Sequence, residues 1–144
     1  MKKDKVFCFH HGWHFLLADE FPMQKALEKH KDKNGRCFYE LDYIEENWER
    51  VTLPHTFNDT DLFRDRIRDA GSGQKRTAVF YRNYLTVPKE YCGQKVLIEF
   101  EGIRQTCYLY VNGKMVGYVE NGVAPFGFDL TPFIDYDKPN LIAV

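Results

Sequence analysis

The chain has 144 residues, a net charge of −1, 16% aromatic residues and four cysteines. That length suits one domain with a real core, and the near-zero charge gives no electrostatic case for nucleic acid or an acidic membrane surface. No apolar run approaches the roughly 20 residues that cross a bilayer as a helix.

The opening Met1-Lys2-Lys3-Asp4-Lys5 is basic. The apolar stretch 6–9 behind it is too short for a signal h-region, so the expected location is cytoplasmic unless a leader has been removed. His10, His11 and His14 follow with Cys8 beside them, and no carboxylate stands at ligand spacing. They read as incidental imidazoles on a strand edge; neither a metal nor a cofactor is expected. Met23, Ala26, Leu27 and His30 stand at helical spacing behind Pro22, with Lys29, Lys31 and Lys33 near the end and Gly35 as a stop. This predicts one short surface helix over residues 23–30. Asp42 and Glu45 have capping-box spacing and predict a single helical turn before Trp48.

Residues 58–76 make a long polar loop, in which Asp59, Asp61, Asp65 and Asp69 alternate with Arg64, Arg66 and Arg68. Loops of this length in compact domains are usually functional or disordered. Asp59 and Asp61 lack the glycine and distal glutamate of a calcium loop, so pairing with Arg64 and Arg66 is the plainer reading.

Strand signals dominate from residue 79 onward. Val79, Tyr81, Leu85 and Val87 share one face, and Pro88 closes the strand. Val96, Ile98 and Phe100 alternate with Leu97, Glu99 and Glu101, which turns both glutamates toward water. Cys107, Leu109 and Val111 alternate with Thr106, Tyr108 and Tyr110, and Asn112-Gly113 is the strong signal for a type I′ hairpin turn. Tyr108, Tyr110 and Tyr118 read as half-buried sheet residues, with a sugar-stacking platform as the alternative. The four cysteines form no C-x-x-C pair and read as free thiols, Cys107 as a small buried hydrophobe. The short, regular spacing of turns predicts an all-β antiparallel sandwich with one short helix, filling residues 1–144 as one domain.

Several motifs stand in series: Gly12-Trp13-His14-Phe15, then Trp48-Glu49-Arg50-Val51-Thr52-Leu53-Pro54-His55-Thr56-Phe57-Asn58, then Phe80-Tyr81-Arg82-Asn83-Tyr84-Leu85-Thr86-Val87-Pro88. Phe100-Glu101-Gly102-Ile103, Val111-Asn112-Gly113-Lys114-Met115-Val116-Gly117, Pro125-Phe126-Gly127-Phe128-Asp129-Leu130-Thr131 and Asn140-Leu141-Ile142-Ala143-Val144 complete them. Together they resemble the amino-terminal domain of glycoside hydrolase family 2, the β-galactosidase and β-glucuronidase family. Phe57 and Phe80 stand where that family usually has Trp and keep an aromatic plug; Asn83 replaces a common Lys and reads as a surface change.

The resemblance implies a jelly-roll, galactose-binding-like sandwich that is the non-catalytic part of a longer retaining β-glycosidase. Such enzymes hydrolyse O-glycosyl bonds with two carboxyl groups about 5–5.5 Å apart, which in this family are glutamates of a barrel that lies outside this chain. No catalytic residue is therefore carried over. The family's loop after the L-P-H motif reaches toward the sugar pocket, which makes His55, Asp59, Asp61 and Arg64 the candidate substrate-binding residues. Structural tethering to a neighbouring loop is the other reading of His55. The implied partners are carbohydrate, through the full-length enzyme, and the missing carboxyl-terminal domains. The apolar run 141–144 reads as an unfinished strand at a sheet edge, which favours self-association as a homodimer. A stand-alone carbohydrate-binding module and a purely structural interaction domain are the competing readings.

Overall fold

The computed structural model describes residues 4–55, 77–103, 105–121 and 124–144. In chain order these form β1 (Trp13–Leu17), α1 (Met23–Lys29), β2 (Glu49–Val51), β3 (Val79–Thr86), a 3₁₀ turn (Lys89–Tyr91), β4 (Leu97–Phe100), β5 (Gln105–Val111), β6 (Lys114–Asn121), β7 (Phe126–Asp129) and β8 (Pro139–Ala143). Six strands make one antiparallel sheet in the order β2-β1-β3-β8-β5-β6; β4 and β7 make a second, two-stranded sheet. The expected all-β sandwich is present, and the helix lies within the expected span, with His30 as its C-cap.

Alternation explains the inner layer. Trp13 and Phe15 from β1, Leu109 and Val111 from β5, and Ile142 from β8 pack with Val87, Leu130 and Ile134 into one buried cluster. Val79, Tyr81 and Leu85 of β3 and Val96, Ile98 and Phe100 around β4 join it from their predicted faces. Burying a large aliphatic or aromatic side chain contributes about 1.5–3 kcal/mol each, so this layer is a major source of the hydrophobic drive. The four cysteines are free, and Cys107 is buried.

The opposite face of the large sheet is covered as well. Ala26 of α1, Phe38, Tyr43, Phe80 and Ala143 form a second cluster beneath the helix and the segment that follows it. Phe80 does act as an aromatic plug, stacked on Phe38 with ring centroids 4.1 Å apart.

Three expectations need correction. The terminal strand is not at an edge: β8 lies between β3 and β5, pairing Tyr84 with Leu141 on one side and Tyr110 with Ala143 on the other. Leu141, Ile142 and Ala143 are fully buried, and a run that is apolar without alternation is what a strand covered on both faces needs. The homodimer expectation thereby loses the edge strand it was argued from.

Asn83 is not a surface change. It is buried, its amide donates to the His11 carbonyl at 2.8 Å, and its own oxygen accepts from Tyr84 N at 2.8 Å.

The Asp42–Glu45 capping box is not formed, and no helical turn precedes Trp48. Asp32 organises that segment instead, accepting from the backbone N–H groups of Asn34, Arg36 and Ile44. Glu45 is drawn elsewhere, as described below.

The predicted hairpin is in place. Asn112 and Gly113 both have positive φ, 50° and 83°, as a type I′ turn requires. Asn112 also accepts from Leu141 N and donates to Asn140 Oδ1 at 2.8 Å. Asn140 is fully buried and donates in turn to the carbonyls of Leu85 and Asp135.

Candidate functional site

His55 stands just past β2, at the margin of the described residues. Its ring packs edge-on against Phe15 of β1 with centroids 4.7 Å apart, and its Nδ1 is hydrogen-bonded to the Tyr81 hydroxyl at 2.9 Å. Tyr81 faces the inner core, where burial pushes its phenol up to about 12. His55 is thus tethered to a strand of the large sheet rather than to a neighbouring loop. This contact anchors the chain at the last described residue before position 56, and it ties up one ring nitrogen. Asp59, Asp61 and Arg64, the other candidate substrate-binding residues, lie outside the described residues, so the four are not brought together.

The main polar cluster went unrecognised in the sequence. Arg82 of β3 is 2% exposed, on the face opposite the inner core. Its Nη1 donates to Glu45 Oε1 at 2.8 Å, its Nη2 donates to the Glu40 carbonyl at 3.2 Å, and its guanidinium lies 5.2 Å from the Tyr43 ring centroid. The other oxygen of Glu45 accepts from His14 Nδ1. His14 is therefore not incidental: it and Arg82, cross-strand neighbours in β1 and β3, grip one carboxylate from both sides. A buried cation with such partners fixes the geometry of the covering segment, because a charge without them is costly to bury. The only sequence signal was a polar, charged residue at a position where β3 has apolar neighbours on both faces.

Next to this cluster is a polar cavity of about 230 Å³ lined by Lys29, His30, Lys31, Lys33, Tyr43 and Asn47 among others. Two of its lysines are already paired, Lys29 with Glu20 and Lys31 with Glu28. His30 donates to the Ala18 carbonyl at 2.7 Å. Of these, the His30 bond ties the end of the helix to the chain just after β1, while the lysine pairs are local.

Glu99 and Glu101 are exposed to water, as their alternation predicts. Among the described residues, no three His, Cys, Asp or Glu side chains are grouped to hold a metal ion. The tyrosines divide. Tyr110 is stacked on Tyr39 at 4.2 Å and serves packing, while Tyr108 and Tyr118 form a tilted pair with centroids 4.7 Å apart on the open part of the same face. The Tyr118 hydroxyl donates to the Glu120 carboxylate, which pushes that phenol up to about 12.

This is a layered scaffold with a tethered His55 and an open pair of aromatic rings, Tyr108 and Tyr118. Comparison with known proteins supplies its relatives. The family model described as "Glycosyl hydrolases family 2, sugar binding domain" matches residues 37–144. The chain belongs to this family. It is 43% identical over 114 residues to a β-glucuronidase of Formosa agariphila, an overlap covering 77% of this chain and 12% of the relative. It is 39% identical over 107 residues to a β-galactosidase of Thermoanaerobacter pseudethanolicus, covering 74% of this chain and 14% of that protein. A solved structure of a glycoside hydrolase family 2 β-glucuronidase superposes with a TM-score of 0.67 at 33% identity, covering 94% of this chain and 13% of that one. The chain thus spans 12–14% of the length of these curated relatives. The part shared with family 2 is its sugar binding domain, and both Glu99 and Glu101 are exposed to water.

Proposed function

We propose that this sandwich is the non-catalytic sugar binding domain of a longer, β-galactosidase-like family 2 β-glycosidase. Glutamates of a separate barrel would cleave the O-glycosyl bond there. The observation that carries the reading is the family match across residues 37–144 together with relatives of which this chain spans only 12–14%. In this reading the domain shapes the rim of the sugar pocket. The tether from His55 to Tyr81 fixes the chain just before the segment 56–76, and Asp59, Asp61 and Arg64 of that segment supply polar contacts to the sugar. The partners are carbohydrate and the remaining domains of the same polypeptide.

The test is to express the complete reading frame that encodes this chain and assay it on chromogenic β-galactosides and β-glucuronosides. Hydrolysis of one of them, with a lower kcat/KM in Asp59→Ala, Asp61→Ala or Arg64→Ala, is the expected result. A frame that encodes no barrel, or a full-length product inactive on both substrate types, would overturn it.

A further inference from the structure

The open face of the β5–β6 hairpin has a composition that scaffolding does not require. Two cross-strand pairs stand side by side there, Thr106 with Glu120 and Tyr108 with Tyr118. Tyr118 is 44% exposed although it sits on an aromatic partner. Its hydroxyl is held by Glu120, which fixes the ring's orientation in advance of any ligand. Tyr110, stacked on Tyr39, closes one end beside the exposed Met115. β6 is the last strand of its sheet, so an extended molecule can lie across these rings without meeting another strand.

We propose that Tyr108 and Tyr118, with Thr106 and Glu120, form a binding platform for a neutral oligosaccharide. Pyranose rings present apolar C–H faces that pack on aromatic rings, while nearby polar groups take the hydroxyls. Glu120 has acceptor capacity left after its bond to Tyr118, and Thr106 offers a hydroxyl that can donate or accept. Charge selects the class of sugar. Of the outward side chains at positions 106, 108, 110, 115, 118 and 120, only Glu120 is charged at neutral pH. A uronate would set a second carboxylate beside it, and like charges at close range repel. The platform therefore takes neutral hexose chains and rejects uronic acid chains. This does not depend on the glycosidase reading, because binding needs no barrel glutamate.

The experiment is an amide chemical-shift titration of the 144-residue chain with β-1,4-linked galactotetraose and, separately, trigalacturonate. Saturable shifts confined to strands β5 and β6 are expected with galactotetraose, and binding at least about tenfold weaker with trigalacturonate. Tyr118→Ala should weaken galactotetraose binding at least about tenfold, and Tyr118→Phe should hold it within about threefold, because the ring face carries the contact. Glu120→Gln should narrow the gap between the two probes. Should Tyr118→Ala fail to fold, the Tyr118→Phe and Glu120→Gln titrations decide. The proposal is overturned by no saturable shift with galactotetraose, by shifts that map to another face, or by equal binding of trigalacturonate. Shifts of the same residues on raising protein concentration alone would also overturn it and would assign the face to a second copy of the chain.

Discussion

The two faces of the six-stranded sheet are held by different forces. The inner face is held by an apolar cluster, built from alternating residues of β1, β3, β5 and β8 against β4 and β7. The outer face carries Phe80 and Phe38, yet its covering segment is registered by an ion: Arg82, clasped by Glu45, with His14 on the carboxylate's other oxygen. Apolar burial is non-directional and proportional to area. A buried guanidinium is directional, and it accepts only the segment that brings the right acceptors. One face thus sets how strongly the domain folds, and the other sets which conformation its cover adopts.

The largest expected effect is on the inner face. Leu109→Ala removes a fully buried side chain from its middle and should cost about 3–4 kcal/mol by denaturant titration, with the outer cover lost in the same transition. An equal shift from Leu97→Ala, which is 61% exposed, would break the distinction between buried and wet positions. Arg82→Ala should cost about 3 kcal/mol. Here the signature is coupling: Arg82→Ala with Glu45→Ala should cost less than the sum of the two. Strict additivity would mean that the pair does not act as a unit.

Those two predictions mark where the sequence was readable. The inner face was legible because its signal is periodic: Val79, Tyr81, Leu85 and Val87 lie on the predicted side, and so do Val96, Ile98 and Phe100. The Asn112-Gly113 turn was legible because few residue pairs tolerate two positive φ values. Partners separated by 31 and 37 residues have no period, so the His14–Glu45 and Arg82–Glu45 contacts were invisible. Glu45 was misassigned to a capping box because its spacing from Asp42 is local while its partners are not. Asn83 was misread for the same reason, since its acceptor lies 72 residues away. The apolar run 141–144 was assigned to an edge, although lack of alternation already argued for an interior strand. Of the candidate site, only His55 falls among the described residues, in the tethering role weighed for it but bonded to a strand instead of a loop.

Smaller effects sharpen the comparison at the hairpin, where the Asn112 side chain joins β5 to β8. Gly113→Val should cost on the order of 1–2 kcal/mol, because a β-branched residue resists positive φ. An unchanged denaturation midpoint would mean that the turn has another conformation in solution.

The smallest effect at neutral pH becomes visible in alkali. Burial raises Tyr81 from 10.0 and Cys107 from 9.0, each to about 12. Both folded values exceed the unfolded ones, so their stabilisation is complete below pH 9 and declines as pH rises through about 12. Tyr81→Phe and Cys107→Ala should each flatten that alkaline decline in thermal melts. A decline of unchanged steepness in both variants would place its origin outside this face.

On the proposed reading this domain positions sugar for a separate barrel and cleaves none itself. The direct measurement is turnover of chromogenic β-galactoside and β-glucuronoside by the purified 144-residue chain. No hydrolysis above the buffer rate is predicted, since the matched region is the family's sugar binding domain and Glu99 and Glu101 are exposed to water. Turnover that co-purifies with the chain and vanishes in Glu99→Gln or Glu101→Gln would contradict the account.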